Sequence, residues 1–298
     1  MSIFLLSVSV AAGAEDIAIL KSADIMAYEQ AIKAFEGSVP QSLGSIKEYD
    51  LQGDLSRGRH LARRIRASQV KLVLAVGLKA ALISKLEILD VPVIFCMVLN
   101  PDKYNLTTTS MTGITLNIPF SQQISSLRLL LPKVKRVGVI YDPSQMGQRV
   151  EKARHQATRL GLELVSREVA SEQDVPNTLR ALVSQIDALW LLPDSTVLTK
   201  DSLSFLLETT LNAHIPILGF SPGLVQSGAL VSTYLNYDDM GKQAAALAKH
   251  LVKGPPYPSW AGSLIHPKRI RLAVNRHTAS FLGIPIPPQV LTMFDTQY

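Results

Sequence analysis

The sequence contains a single cysteine among its 298 residues. An intrachain disulfide is therefore excluded, and a thiolate metal site cannot be built from this chain alone. Cys96 lies within an apolar stretch, residues 91–98, where a cysteine ordinarily serves as a small hydrophobic core residue. The six histidines are scattered without the paired spacing of metal ligands. We therefore expect neither a metal nor a cofactor.

Several other motifs and compositional features are missing. The sequence has no G-x-G-x-x-G motif after a strand and no Walker lysine motif, so neither common nucleotide fingerprint is present. Beyond the N-terminus no run reaches the roughly 20 apolar residues of a membrane-spanning helix, and we expect no stable membrane insertion. Basic residues are dense only within residues 57–71, and no aromatic residue interleaves with them. We interpret this stretch as the solvated face of an amphipathic helix and expect no nucleic-acid partner.

The N-terminal segment, residues 1–14, has the pattern of a signal peptide. Residues 3–12 are apolar or small, and Ala12-Gly13-Ala14 matches the small-x-small cleavage pattern. Cleavage there makes Glu15 the mature start, and no cysteine stands at that position to carry a lipid anchor. Met1-Ser2 offers no basic leader, which leaves the true start codon open. We expect an exported, periplasmic protein.

The rest of the chain alternates short apolar strands with helical patterns. Buried strands are predicted at residues 70–76, 91–98, 137–141, 188–192 and 215–220, most of them followed by polar turn residues and then a helix. With 47% hydrophobic residues, the chain suits two α/β domains. The predicted fold is a pair of similar parallel-sheet α/β lobes joined by extended crossings. Lobe 1 takes residues 15–113 plus 236–268, and lobe 2 takes residues 114–235 plus 269–298.

The loops that follow the predicted strands are the candidate ligand site, because open α/β sheets bind ligands at the carboxyl ends of their strands. These loops offer helix N-terminal amides for an anion, carboxylates for a cation and aromatic rings for an apolar body. Each residue could equally serve as a loop cap or a turn former. The candidates of lobe 1 are Lys21, Ser22, Tyr28, Gly77, Leu78, Leu99 and Asn100, and those of lobe 2 are Tyr141, Asp142, Pro193, Asp194, Ser195, Phe220 and Ser221. We expect an Asp194→Ala change to weaken ligand binding without unfolding the protein.

The stretch Gly219-Phe220-Ser221-Pro222-Gly223 matches the G-x-S-x-G elbow of α/β-hydrolases, with acidic and histidine residues downstream in the order of a triad. In that fold the residue after the serine donates its backbone N–H to the oxyanion. Here that residue is Pro222, which has no N–H, and losing one such donor costs about 100- to 1000-fold in turnover. Ser221 is better explained as a helix N-cap with Pro222 at the first helical position.

The chain resembles the periplasmic substrate-binding proteins of ABC importers, in the branch that binds tryptophan, phenylalanine and tyrosine. The resemblance covers nearly the whole mature chain and rests on the order and spacing of several segments: IAILKSADIMAYEQAIKAFEG, LVLAVGLKAA, VPVIFCMVLNP, TGITLNIP, LPKVKRVGVIYDP, IPILGFSPGLVQSGAL, YDDMGKQAAALAKHLVKG and LAVNRHTASFLGIPIP. It implies a type I binding fold with three crossings, a ligand held in the interlobe cleft, hinge closure, and delivery to a permease and its ATPase.

Two departures from the family pattern concern the ligand. The family often has V-G-T where this chain has Val76-Gly77-Leu78, so a hydroxyl contact to a ligand carboxylate is missing. It often has Asp-Pro where this chain has Asn100-Pro101. Both changes leave room for a less polar carboxylate or another small organic ligand.

The function predicted from these observations is that of a non-enzymatic, monomeric solute-binding protein. It captures a small organic ligand, such as an amino acid or a related carboxylate. One alternative is a sensory role, in which the loaded protein contacts a membrane signalling protein. A serine hydrolase that uses Ser221 is the enzymatic alternative.

Overall fold

The computed structural model describes residues 15–253 and 260–298. The predicted signal segment, residues 1–14, lies outside the described residues. The chain divides into two compact units. Unit 1 contains the described residues up to Asn117 together with Leu235–Arg269, and unit 2 contains Ile118–Tyr234 together with Ile270–Tyr298.

Strands and helices alternate along both units. The strands are β1 (Glu15–Lys21), β2 (Ser45–Asp50), β3 (Leu72–Val76), β4 (Val93–Val98), β5 (Met111–Thr115), β6 (Arg136–Tyr141), β7 (Glu163–Glu168), β8 (Ala188–Trp190), β9 (Ile217–Gly219), β10 (Val231–Tyr234), β11 (Leu264–Ile265), β12 (Arg271–Val274) and β13 (Thr296–Gln297). The helices are α1 (Met26–Glu36), α2 (Leu55–Ala67), α3 (Leu78–Glu87), α4 (Phe120–Leu130), α5 (Pro143–Arg159), α6 (Val175–Leu182), α7 (Lys200–Asn212), α8 (Pro222–Gln226), α9 (Tyr237–Lys253), α10 (Arg276–Phe281) and α11 (Pro288–Leu291). Short 3-10 turns cover Gln41–Leu43, Pro101–Tyr104, Glu172–Asp174 and Val183–Gln185.

Unit 1 is built on a parallel sheet with the strand order β11-β5-β4-β3-β1-β2. Every residue of β3, β4 and β5 is buried. In β1 the side chains alternate between two cores: Ile17 and Ile19 pack with α1 and α9, while Ala18 and Leu20 pack with α2 and α3. This period of two, with helices on both faces, is what a doubly wound parallel sheet requires.

Helices α1 and α9 lie in close contact on one face of this sheet. Gly241 makes this approach possible, because a Cβ atom at this position would lie 2.1 Å from the carbonyl oxygen of Ala31. On the other face α2 begins at Asp54, whose carboxylate accepts from the amides of Ser56 and Arg57. The arginines of α2 are all exposed, consistent with a solvated outer face.

Unit 2 is built on a sheet with the order β13-β12-β10-β9-β8-β6-β7. Its central strands are parallel, but β12 runs antiparallel to β10, so this sheet is mixed. Buried clusters lie on both faces. The largest buried side chain, Trp190, donates from Nε1 to Oε1 of Gln123 on α4 over 2.9 Å, and the Gln123 amide donates onward to the Ile118 carbonyl. The buried polar side-chain groups of Trp190 and Gln123 are thereby paired.

The predicted fold class, two α/β units on sheets that are largely parallel, is confirmed. One backbone feature was not visible in the sequence: Met97 has a φ of +59° and lies where the pairing of β4 with β5 shifts register between Phe95 and Val98. Such a bulge re-aims the end of a strand. None of the helices that the structure describes combines the length and apolarity needed to cross a bilayer.

Candidate functional site

The candidate residues of unit 1 gather at the topological switch point of its sheet. From β1 the chain moves to β2 on one side and then to β3 on the other, so the loops after β1 and β3 diverge to opposite faces. That divergence opens a crevice at the carboxyl edge, where open α/β sheets bind ligands. Ser22 follows β1, Gly77 follows β3, and the Ser22 amide donates to the Val76 carbonyl over 2.9 Å.

Ser22, Tyr28 and Gly77 are packed directly against one another. Gly77 has a φ of +87°, and a Cβ atom there would lie 2.5 Å from the Tyr28 hydroxyl and 2.7 Å from Ser22 Oγ. Ser22 Oγ accepts from the Ala80 amide over 2.9 Å. It thus caps α3 in place of the side chain that Gly77 lacks. The first two amides of α3, those of Leu78 and Lys79, stand at positions where no helical carbonyl can serve them.

Tyr28 and Lys21 carry the titratable side chains of this group, and their surroundings differ. Burial, and secondarily the nearby Cys96 thiol, raise the pKa of the partly buried Tyr28 phenol. The buried Lys21 ammonium lies 2.6 Å from Glu29 and 2.7 Å from Glu48. Its burial alone would lower the Lys21 pKa, but these two carboxylates raise it above the ordinary value. Lys21 therefore holds α1 and β2 to the end of β1, and its charge is already neutralised.

The other candidates of unit 1 separate into packed and open positions. The Leu78 side chain packs against the core beneath α2 and α3. Leu99 is 69% exposed, and the exposed Asn100 adopts a left-handed backbone with a φ of +48°. The sequence reasoning missed two further exposed apolar residues at the start of α1, Ile25 (46%) at its N-cap and Met26 (79%) at its first position. Their signal was apolar character at the start of a helix, outside its buried stripe.

In unit 2 the switch point lies between β6 and β8, and there Asp142 and Asp194 come together. Asp194 is 1% exposed. Its Oδ2 accepts from the Asp142 amide over 2.7 Å, and its Oδ1 accepts from the amides of Thr196 at 3.0 Å and Val197 at 3.4 Å. Both oxygens of Asp194 thus already serve backbone donors, and its contact with a cation stays a prediction. Asp194 ties the β6 loop to the β8 loop.

Asp142 and its neighbours complete a closed polar network. Asp142 is the N-cap of α5 and accepts from the amide and hydroxyl of Ser144, while its other oxygen accepts from the Thr196 hydroxyl. These bonds, led by the one from the Ser144 hydroxyl, lower the Asp142 pKa. Gln145 donates to the Thr196 hydroxyl over 2.7 Å and accepts from the exposed Ser195 hydroxyl over 2.9 Å. Gln145 was missed from the sequence, where nothing marked it beyond its place one turn after Asp142.

The remaining candidates of unit 2 are scattered among core, turn and cap positions. Tyr141 is buried in the core, and its hydroxyl donates to Glu168 over 2.8 Å. Burial, and then this carboxylate, raise the pKa of Tyr141 to about 12. Phe220 is partly buried against the opposite core, and Pro193 is exposed in the turn before Asp194.

Ser221 is the N-cap of α8, as predicted. Its hydroxyl accepts from the Leu224 amide over 3.3 Å, and Pro222 occupies the first turn. The carboxylates and the first histidine of the supposed triad, Asp238, Asp239 and His266, belong to unit 1, whereas Ser221 belongs to unit 2. Because Pro222 has no N–H, no backbone donor stands at the residue after Ser221, where a hydrolase elbow requires one.

Among the residues that the structure describes, no three His, Cys, Asp or Glu side chains are grouped so that they could hold a metal ion. An open hollow of about 660 Å³ lies at the amino ends of β6 and β7, the end of the sheet opposite to the candidate residues. Its one aspartate, Asp187, is already bonded to Arg136.

Parallel sheets with loops gathered at a switch point define a class of α/β ligand-binding proteins, and comparison with known proteins makes the assignment specific. The family model described as "ABC transporter substrate binding protein" matches residues 44–297. This chain belongs to that family of substrate-binding proteins.

Individual relatives are more distant. The "Tyrosine-binding protein" of Clostridioides difficile (strain R20291) is 24% identical over 233 residues, which cover 75% of this chain and 67% of that protein. A ligand-free, open substrate binding protein with adhesive properties from Clostridium difficile matches with a TM-score of 0.78 at 20% identity, over 95% of this chain and 98% of that one. An ABC domain in complex with L-Trp from Streptococcus pneumonia matches with a TM-score of 0.59 at 22% identity, over 95% of this chain and 100% of that one. At these identities, the structural matches show the fold.

Proposed function

We propose that this chain is the exported ligand receptor of an ABC importer. It binds an amino acid or a related small carboxylate with an apolar body, without chemical conversion, and delivers it as a monomer to a permease and its ATPase. The carboxyl-edge loops contact the ligand. Membership of the substrate-binding family supports the class of function.

The open carboxyl edge of unit 1 carries the ligand assignment. Ile25, Met26 and Leu99 are large apolar side chains that stand exposed after β1 and β4, on either side of Gly77. Exposed apolar residues grouped around a few polar ones are typical of a ligand site. The polar groups here are the Tyr28 hydroxyl and the first amides of α3, which suit an anionic or hydroxyl-bearing ligand.

The relatives narrow the class further. One is a tyrosine-binding protein and another was crystallised with L-Trp. Both ligands are zwitterions with an apolar ring. The apolar residues around Gly77 are suited to such a ring, which supports aromatic amino acids and their carboxylate relatives as the first compounds to test.

A thermal-shift screen tests this proposal. The compounds are the amino acids, aromatic carboxylates, sugars and polyamines. A true ligand at 100 times its dissociation constant adds about 2.7 kcal/mol of stability, enough to raise the melting temperature measurably. We expect amino acids or carboxylates to give the largest shifts. A chain stabilised only by sugars or polyamines, or by no compound at saturating concentration, contradicts the proposal.

A matched pair of variants tests the site. Leu99→Ala removes an exposed apolar side chain at the carboxyl edge, whereas Leu89→Ala removes one that is 60% exposed and precedes β4, at the opposite end of the sheet. Because burying the leucine side chain contributes about 1.5 kcal/mol or more, Leu99→Ala should weaken binding about tenfold, measured by calorimetry. Leu89→Ala should leave the dissociation constant unchanged. Equal effects of the two variants would exclude Leu99 from the site.

A further inference from the structure

Arg149 is a partly buried cation on α5 whose guanidinium makes no hydrogen bond, ion pair or ring contact with any residue in the described part of the chain. Other arginines of unit 2 are engaged: Arg154 contacts Glu151 and Ser166, and Arg136 contacts Asp187. Burial lowers the pKa of the Arg149 guanidinium from its ordinary value. A charge that is partly withdrawn from water and left unpaired is costly, and such charges are normally paired.

The helix places Arg149 on the face that looks toward the switch point of unit 2. Gln145, one turn earlier, bonds to Ser195 and Thr196 in the loop after β8, and Gln156, two turns later, accepts from the amide of Ser121 at the start of α4. Residues spaced by four and seven along a helix share one face. Arg149 therefore lies between the β8 loop and the start of α4.

The direction of the side chain is set by the same helix. Helical side chains lean toward the N-terminus of their helix, and α5 begins at Asp142, directly after β6. The Arg149 side chain thus extends toward the carboxyl edge of the sheet. The two aspartates there do not neutralise it, because Asp142 and Asp194 accept from backbone amides and hydroxyls instead.

We propose that Arg149 is the anion-recognising residue of unit 2, and that the ligand of this protein carries a carboxylate that pairs with its guanidinium. This inference rests on the proposed function and adds the charge of the ligand to it. The planar guanidinium offers two parallel N–H donors, which match the two oxygens of a carboxylate. A phosphate group presents the same geometry, so the experiment must separate the two anions.

The direct test needs no knowledge of the ligand. The Nε–Hε signals of the arginines are followed by NMR in the full-length mature chain during titration with sodium acetate, with sodium phosphate and with sodium chloride at equal ionic strength. Arg149 should show a saturable shift with acetate at millimolar concentration, whereas Arg159, an exposed arginine of the same helix, should show none. Saturation with phosphate but not acetate overturns the assignment to a carboxylate, and saturation with neither overturns the anion site.

The second test uses variants with defined ligands. The pairs are L-tyrosine with tyramine and L-tryptophan with tryptamine, in which the second compound lacks only the carboxylate. Arg149→Met keeps most of the aliphatic volume and should weaken binding of the amino acid that binds best by about 10- to 100-fold. The affinity of Arg149→Lys should lie between those of the parent and Arg149→Met, because lysine keeps the positive charge but loses the two parallel N–H donors of the guanidinium. The control Arg159→Met should bind as the parent does, and melting curves show that each variant is folded.

The two proposals fail separately. If no compound of the thermal-shift screen binds, the proposed function fails, while the acetate titration still decides whether Arg149 is an anion site. If an amino acid binds the parent and Arg149→Met with equal affinity, or if the amines bind as tightly as the amino acids, the assignment of Arg149 is wrong and the receptor function stands.

Discussion

The carboxyl edges of the two sheets occupy the same topological position but differ in how completely their polar groups are used. In unit 1 the edge is sparsely bonded: Leu99 and Met26 are exposed, and Gly77 is packed against Ser22 and Tyr28 without a side chain of its own. In unit 2 the edge is closed by a network in which Asp194 and Asp142 cross-link two loops. A candidate list drawn from strand ends alone treats these two edges as equivalent.

The difference shows that a polar residue after a strand can have either of two roles. At the unit 2 edge the carboxylates satisfy amides that would otherwise be orphaned, so they stabilise the loops. At the unit 1 edge we expect the amides at the start of α3 and the Tyr28 hydroxyl to be available for contact with a small molecule. Arg149 contrasts with this network, since it is a partly buried charged group of unit 2 that has no partner among the described residues.

The largest expected effect comes from opening the closed edge. Asp194→Ala leaves the amides of Asp142, Thr196 and Val197 without their acceptor. Because buried donors without partners cost about 1–3 kcal/mol, we expect a loss of about 3 kcal/mol in the free energy of unfolding, measured in urea. If ligand affinity falls in this variant, we expect the fall to result from the same loosening of the loops, and so to occur together with the loss of stability. This expectation differs from the one drawn from the sequence, in which the variant weakens binding without unfolding the protein, and the two measurements together decide between them.

Two further variants sharpen the interpretation of Asp194. Asp194→Asn keeps one acceptor oxygen, so its free energy of unfolding should lie between those of Asp194→Ala and the parent. Asp201→Ala removes an exposed aspartate from the first turn of α7, where the helix dipole contributes less than about 1 kcal/mol. If Asp194→Ala were no less stable than Asp201→Ala but bound ligand poorly, Asp194 would be a ligand-contacting residue after all.

Much of the fold was predictable because its pattern is local. Continuous apolar runs such as residues 72–76 and 93–98 are typical of strands buried on both faces, and the residues that break them mark the loops. The two-residue strands β11 and β13 were not predictable, because two residues carry no periodicity. Their pairing is decided by neighbours distant in sequence, Gly113 and Ile114 for β11.

The candidate site was predictable in location but not in role. Strand ends could be found from the sequence, and Ser22, Gly77 and Tyr28 do lie together. The sequence could not show that Lys21 is neutralised by Glu29 and Glu48, since those residues are 8 and 27 positions away. Nor could it show that Arg149 lacks a partner among the described residues, because a missing contact is visible only once the surrounding side chains are placed.

An intermediate effect is expected at the open edge. Gly77→Ala forces a Cβ atom to within 2.5 Å of the Tyr28 hydroxyl and 2.7 Å of Ser22 Oγ, at a φ that alanine rarely adopts. We expect a loss of about 2 kcal/mol, together with weaker ligand binding because the Ser22 cap of α3 is displaced. Chemical denaturation and calorimetry measure the two effects.

Gly161→Ala is the matched control for this variant. Gly161 also has a positive φ, +66°, but nothing lies within 4 Å of a Cβ atom placed there. Gly161→Ala should therefore lower the free energy of unfolding by about 1 kcal/mol, through the backbone strain of alanine at a positive φ alone, and should leave the ligand affinity unchanged. If both variants lost the same stability and both bound ligand as tightly as the parent, the packing of Tyr28 and Ser22 against Gly77 would not contribute to ligand binding.

The smallest effect returns to the closed edge, at Tyr141. Its pKa in the folded chain is raised to about 12, first by burial and then by the bond to Glu168, whereas an unfolded tyrosine titrates near about 10. The folded state therefore favours the neutral phenol, and this stabilisation is fully present below pH ~10 and is lost as the pH rises through the folded pKa. Tyr141→Phe should cost about 1 kcal/mol at neutral pH through the lost hydrogen bond and should reduce the fall in stability between pH ~10 and 12. Absorbance of the phenolate follows the titration, and a parent and variant with the same alkaline stability profile would show that the Tyr141 hydroxyl is free in solution and that this edge is less closed than the structure indicates.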